Sequence, residues 1–274
     1  MHNYIPYLFI LGGDDGEMQV IKTLLSQFGE RWIQPYKGWD QKPIKESDIP
    51  ESTVRVVTGT PVLYAGGDAV IPIFVESTPD ENLQKLLGVK ILDHHGALAH
   101  NPPVIRQVVN LLDIWDRLSE PMKRWVELIG ANDSAYIPGM EAMGATLEEI
   151  AKVRKFDRMA QGITQEQEKE AVRAMTMSHD YDNKWVFVQM AHNKCTPVLD
   201  ASYGLHKNIL IGCPTEMNFF GDGALCKELF DTCGGWSGGS GLGKQGESAY
   251  WGCALSDVVT LDAVRGKVKG YFKE

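Results

Sequence analysis

Cysteine is missing from the first two thirds of this chain. Cys195, Cys213, Cys226, Cys233 and Cys253 all lie in the last third, and no two of them form a C-x-x-C pair. An odd number so placed excludes a disulfide scaffold and makes reduced thiols in a cytoplasmic protein the expectation. Long apolar runs are also absent. No stretch approaches the ~20 residues of a membrane span, and the opening "MHNYIPYLFILGG" has no basic leader, so neither a membrane anchor nor an export signal is expected. Positive charge is scarce, with 27 Lys and Arg against 36 Asp and Glu and a net charge of −9. Without a dense basic run the chain is not built to capture extended nucleic acid by neutralising phosphates. A small anion in a local, metal-lined pocket stays compatible. There is no repeat or low-complexity tract, and homo-oligomers are neither indicated nor excluded.

What is present is ordinary globular material: 274 residues, 43% hydrophobic and 23% charged, enough for one large or two medium domains. "YLFIL" (7–11) is an apolar strand ending in Gly12 and Gly13. "EMQVIKTLLSQFG" then carries Met18, Ile21, Leu24, Leu25 and Phe28 at helical spacing until Gly29 stops it. Further strands are expected at "TVRVVTG", "VIPIFVE" and "VKILD", with "DENLQKLLG" as a crossover helix. This is the pattern of an α/β domain with a mostly parallel sheet. Residues 103–175 read as helical, with capping boxes at Thr146/Glu149 and Thr164/Gln167. The polar stretch 176–183 is the expected linker between a first domain, 1–175, and a smaller α/β domain, 184–274. In the latter, "WVFVQMA", "NILIGC" and "EMNFF" are strands, "ALCKELFDTC" a helix and "AYWGCAL" a closing strand.

Chemistry gathers where strands end. Glu76 closes "VIPIFVE", and Asp93, His94 and His95 follow "VKIL". Asp14, Asp15 and Glu17 follow the first strand, and Asp133 sits in "LIGANDSAYIPGM" at the end of a helical stretch. Parallel strands bring such residues to one sheet edge, where ligands of α/β proteins bind. Carboxylates with imidazole suit Mn²⁺, Mg²⁺ or Zn²⁺. Each acid taken singly has a plainer reading: Asp14 or Asp15 could cap the following helix, and Asp93 could be a turn residue. The joint pattern of four such segments is what points to a metal.

These residues resemble the DHH phosphoesterase superfamily, named for the triplet found at Asp93, His94 and His95. "VIPIFVESTPDENLQKLLGVKILDHHG" is similar to the family's course from its second motif to its third, and "LIGANDSAYIPGM" to its fourth. "GGWSGGSGLG" (234–243) is similar to the glycine loop of its C-terminal DHHA1 domain. The resemblance implies a metal-dependent phosphoesterase that cleaves a small phosphoester between two domains: a short oligonucleotide, a cyclic dinucleotide or a nucleotide monoester. It implies Asp15, Glu76, His94 and Asp133 as metal ligands and Asp93, His94 and His95 as the catalytic triplet. His95, Gly238, Gly239 and Gly241 would contact substrate. The first motif departs from the family. Phe9 stands where a His is usual and Gly13 where an Asp is usual, and Glu76 replaces an Asp. With those ligands lost, one tightly bound Mn²⁺ or Mg²⁺ is expected, with Asp14 or Glu17 as possible replacement ligands. The alternative is a catalytically impaired protein that binds a nucleotide or phosphorylated metabolite.

Overall fold

The computed structural model describes residues 5–36, 42–98 and 100–273. It divides into two units, 1–162 and 163–274. No helix among the described residues is long and apolar enough to cross a membrane.

The first unit is built on a six-stranded sheet. Its first strand, β1 (Tyr7–Leu11), is apolar throughout because it is buried on both faces. Phe9 and Leu11 enter one core and Leu8 and Ile10 the opposite one. α1 (Gly16–Gln27) follows, then β2 (Arg31–Ile33) beside β1. β3 (Ser52–Val57), β4 (Thr60–Ala65) and β5 (Asp68–Val75) form an antiparallel meander. Its turns are Thr58-Gly59 and Gly66-Gly67, all four residues with positive φ, as tight two-residue hairpins require. β5 also pairs in parallel with β1 and with β6 (Lys90–Leu92). One face of the sheet is covered by α1, α2 (Val104–Leu111), α3 (Glu120–Ala142) and α4 (Leu147–Ala160), which pack on one another.

The second unit begins with α5 (Gln165–Thr176) and holds another six-stranded sheet, ordered β11-β12-β10-β9-β8-β7. Its strands are β7 (His179–Tyr181), β8 (Trp185–Gln189), β9 (Ile209–Gly212), β10 (Glu216–Asp222), β11 (Trp236–Gly238) and β12 (Ser248–Ala254). Only the β8–β9 pair is parallel. Its other helices are α6 (Thr196–Ser202), α7 (Gly223–Cys233) and α8 (Leu261–Tyr271).

The α/β architecture and both capping boxes match the reading of the sequence. Four details differ. The connection between β5 and β6 is a single 3-10 turn, Leu83–Lys85, not a crossover helix. Asp80 accepts from the N–H groups of Asn82 and Leu83, but Gly88 at φ 70° ends the segment before a helix can extend. The division falls at 162/163 rather than near 175, because α5 packs on α6 and β8 of the second unit. The stretch expected to link the domains contributes β7, zipped to β8 through a turn at Asp182 and Asn183. Finally, the chain closes not on a strand but on α8, capped by Thr260, with Val264 and Val268 buried on one face.

Candidate metal centre

Leu11, Val75 and Leu92 stand side by side in register at the ends of β1, β5 and β6. The loops after them therefore open on one edge. Gly12 N–H donates to Val75 O (2.8 Å) and Glu76 N–H to Leu92 O (2.9 Å), carrying the pairing one residue past each strand. The chain then turns sharply. Glu76 adopts φ 47°, the left-handed region where a residue with a Cβ is strained. A Cβ on Gly12 would lie 2.2 Å from Glu76 O, so only glycine allows this approach.

Four side chains converge there. Glu17 comes from the first turn of α1, Glu76 from the end of β5, His94 from the loop after β6 and Asp133 from α3, just before a kink at Ala135 and Tyr136. One ligand atom from each lies within 4.8 Å of the others. His94 Nε2 is 2.7 Å from Asp133 Oδ2 and 3.2 Å from Glu76 Oε1, yet it is aligned for a hydrogen bond with neither. Glu17 Oε2 and both Glu76 oxygens are likewise buried without a hydrogen-bond partner among the described residues. His94 is ion-paired with Asp133 and Glu76, and the crowding of these ligand atoms at one point, several of them without a hydrogen bond, makes a group that could hold a cation.

The electrostatics agree. Burial, then Asp133 and Glu76, push the Glu17 and Asp15 carboxyls well above their ordinary range, and burial raises Glu76 too. Burial works against the His94 imidazolium, but Asp133 and Glu76 overcome it and carry its pKa up to about 10. A divalent ion would relieve this crowding of negative charge. Behind the ring, Ser134 Oγ lies 3.3 Å from His94 Nδ1; a bond donated to it by Nδ1–H would leave Nε2 facing the cluster.

His95 is placed differently. Its ring is half exposed, packs edge-on against His94 with centroids 4.5 Å apart, and has Nδ1 2.9 Å from Asp93 Oδ1. Asp93 also accepts from the His95 backbone N–H (2.9 Å), while its carbonyl takes Asn101 and Gln107. That bond to Asp93 raises the His95 pKa. Burial opposes ionisation of Asp93, but its bonds to His95 hold its carboxyl below the usual value. Glu76, His94 and His95 make a second grouping of possible ligands.

The structure brings Glu76, His94 and Asp133 together with Glu17, while Asp15 lies outside that converging set. Asp15 Oδ1 caps α1 by accepting from Met18 N–H at 2.8 Å, and Asp15 is not among the converging groups. Glu17, given only as a replacement, supplies the free oxygen, with its other oxygen accepting from Ile105 N–H. Asp14 turns away to Lys22 (2.5 Å) and Gln19 (2.7 Å). Ser134 was not singled out from sequence; its place beside Asp133 was the available signal.

The glycine loop is shaped by packing. In β11, a Cβ on Gly238 would meet the Tyr250 hydroxyl at 2.5 Å; one on Gly241 would meet Ser248 O at 2.5 Å. Gly239 has φ 100°. The neighbouring N-terminus of α7 is capped by Asp222, which accepts from Ala224, Leu225 and Gly246 N–H groups.

No protein-family model matches the chain, and no curated protein matches it by sequence. Among solved structures it is similar to a pGpG-specific phosphodiesterase, PggH, from Vibrio cholerae: 12% identity, TM-score 0.36, 97% of each chain covered. It is also similar to RecJ from Thermus thermophilus in complex with Mn²⁺: 13% identity, TM-score 0.43, 96% of this chain and 52% of that one. A third is exonuclease RecJ bound to manganese, at 11% identity and TM-score 0.38, covering 96% of this chain and 89% of that one.

Proposed function

We propose that the chain is a divalent-metal-dependent phosphoesterase of the DHH type, acting on a small phosphoester such as a short oligonucleotide, a cyclic dinucleotide or a nucleotide monoester. The observation that carries this reading is the convergence of buried ligand atoms without hydrogen bonds from Glu17, Glu76, His94 and Asp133 beside the half-exposed His95. In this reading those four hold one Mn²⁺ or Mg²⁺, since three carboxylates and one imidazole favour a hard or borderline ion. Such an ion, when bound, acidifies a water and offsets charge on the phosphoryl group.

The chain's own part falls to the Asp93–His95 pair. Asp93 accepts a hydrogen bond from Nδ1–H and so fixes the tautomer, which leaves His95 Nε2 to meet a phosphate oxygen. Because Asp93 raises its pKa, His95 can carry a proton and hand it to the departing oxygen. The net charge of −9 favours a small substrate held in a local pocket over extended nucleic acid.

Purified protein incubated with Mn²⁺ and a panel of these phosphoesters should release product. His95→Ala should cut turnover while Mn²⁺ still binds, and His94→Ala should abolish both. Equal turnover in His94→Ala overturns the assignment. A second reading, binding without hydrolysis, is favoured by Phe9, which is fully buried in the core where the family's His would stand. Tight nucleotide binding with no turnover under any divalent ion would decide for it.

A further inference from the structure

α4 supplies no ligand to the centre, yet it carries a buried ion pair aimed at the two helices that do. Arg154 and Asp157 are 5% and 6% exposed, on the face of α4 that packs against α1 and α3. Arg154 Nη1 donates to Asp157 Oδ2 (2.8 Å) and to Asn132 Oδ1 (2.8 Å). Asn132 is the residue before Asp133. Asp157 Oδ1 accepts from the backbone N–H of Gly16 (3.1 Å), the residue before Glu17. The two helices are so close that a Cβ on Gly16 would sit 3.0 Å from Asp157 Oδ1 and 3.2 Å from its Cα. The Arg154 guanidinium also lies 4.4 Å from the centre of the Tyr136 ring, at the kink that ends the Asp133 turn.

From this geometry we infer that Arg154 and Asp157 are positioning residues of the metal centre, a strut that sets the spacing between Glu17 and Asp133. The inference rests on the metal reading above. The strut runs from the Gly16 backbone N–H on one helix to the Asn132 side chain on the other, in each case one residue before a candidate ligand. Groups that orient ligands in this way typically change metal affinity about 10–100-fold when removed.

Two variants separate positioning from plain stability. In Asp157→Asn the amide can accept from Gly16 N–H or from Arg154, but not from both. Arg154→Met combined with Asp157→Leu removes the strut while filling its volume, an exchange that buried ion pairs often tolerate without loss of stability. Mn²⁺ titration by calorimetry, paired with melting of the chelated protein, is the measurement. The expected result is affinity weakened about 10–100-fold in both variants, with metal-free melting of the double variant close to wild type. Wild-type affinity in both variants overturns the strut alone. Affinity that falls only in step with the melting temperature also overturns it, in favour of a structural role. A wild-type chain that takes up no Mn²⁺ overturns the metal reading and the strut with it.

Discussion

Near the ends of β1, β5 and β6, the carboxylates of Glu17, Glu76 and Asp133 and the imidazole of His94 crowd together with buried ligand atoms that make no hydrogen bond. At the start of α7, Asp222 answers the N–H groups of Ala224, Leu225 and Gly246, and the glycines of the neighbouring loop fit closely against backbone and Tyr250. Both stretches look functional as strings of letters. The first leaves polar atoms unsatisfied, which a folded chain tolerates only where something else completes them. In the second, Asp222 satisfies three N–H groups and close packing accounts for the glycines at 238 and 241.

The largest effect that sharpens this contrast is expected at α1. Glu17→Gln should weaken Mn²⁺ binding by about a hundredfold, the upper range for changes around a bound metal. It should also raise metal-free stability by about 1–3 kcal/mol, the cost of leaving a buried group unsatisfied. Asp15→Asn preserves the helix cap and should leave affinity nearly unchanged. Calorimetry and thermal melting of the two read both numbers, and the reverse order would return Asp15 to the ligand set. Next in size, Gly241→Ala forces a Cβ to within 2.5 Å of Ser248 O and should cost about 1–3 kcal/mol by overpacking, with Mn²⁺ affinity untouched. A loss of substrate binding at full stability would instead make the loop a binding element.

The third prediction concerns protons. His94 is raised to about 10 from an unfolded value near 6.5, so its imidazolium steadies the metal-free fold fully below about 6.5. That contribution is lost as pH rises through about 10. Mn²⁺ needs the Nε2 lone pair, so between these limits each ion taken up should displace a proton. Affinity should then climb about tenfold per pH unit for each proton released. Calorimetry in buffers of different ionisation enthalpy measures the release, and none would break the ligand role of His94. The smallest effect belongs to Lys244, whose exposed pair with Glu247 (3.1 Å) makes Lys244→Ala worth less than about 1 kcal/mol in chemical denaturation.

Much of the first unit was legible because its signals are local. The apolar run of β1, the helical spacing of α1, Thr146 as a cap, and acids at strand ends each follow from a few neighbouring residues. The hairpin into β4 was also signalled, by Thr58-Gly59 and Gly66-Gly67, but Pro61 and the mixed polarity of the strand obscured it. Asp15 and Glu17 could not be ordered from sequence, since an acid after a strand serves equally as cap or ligand. The hydrogen bond from Met18 to Asp15 and the place of Glu17 in the converging group separate them. The strut was beyond reach for another reason: Gly16 and Asp157 lie 141 residues apart.

The left-handed backbone at Glu76 has a consequence for anyone who alters this protein in the laboratory. Glycine there would relax a conformation that costs about 1–3 kcal/mol and would remove a crowded carboxylate as well. Selection rounds that reward heat resistance alone should therefore enrich Glu76→Gly and discard the metal centre while improving the score. Keeping Mn²⁺ in every round would reverse that pressure, because a ligand bound only by the folded chain adds its binding free energy to the fold.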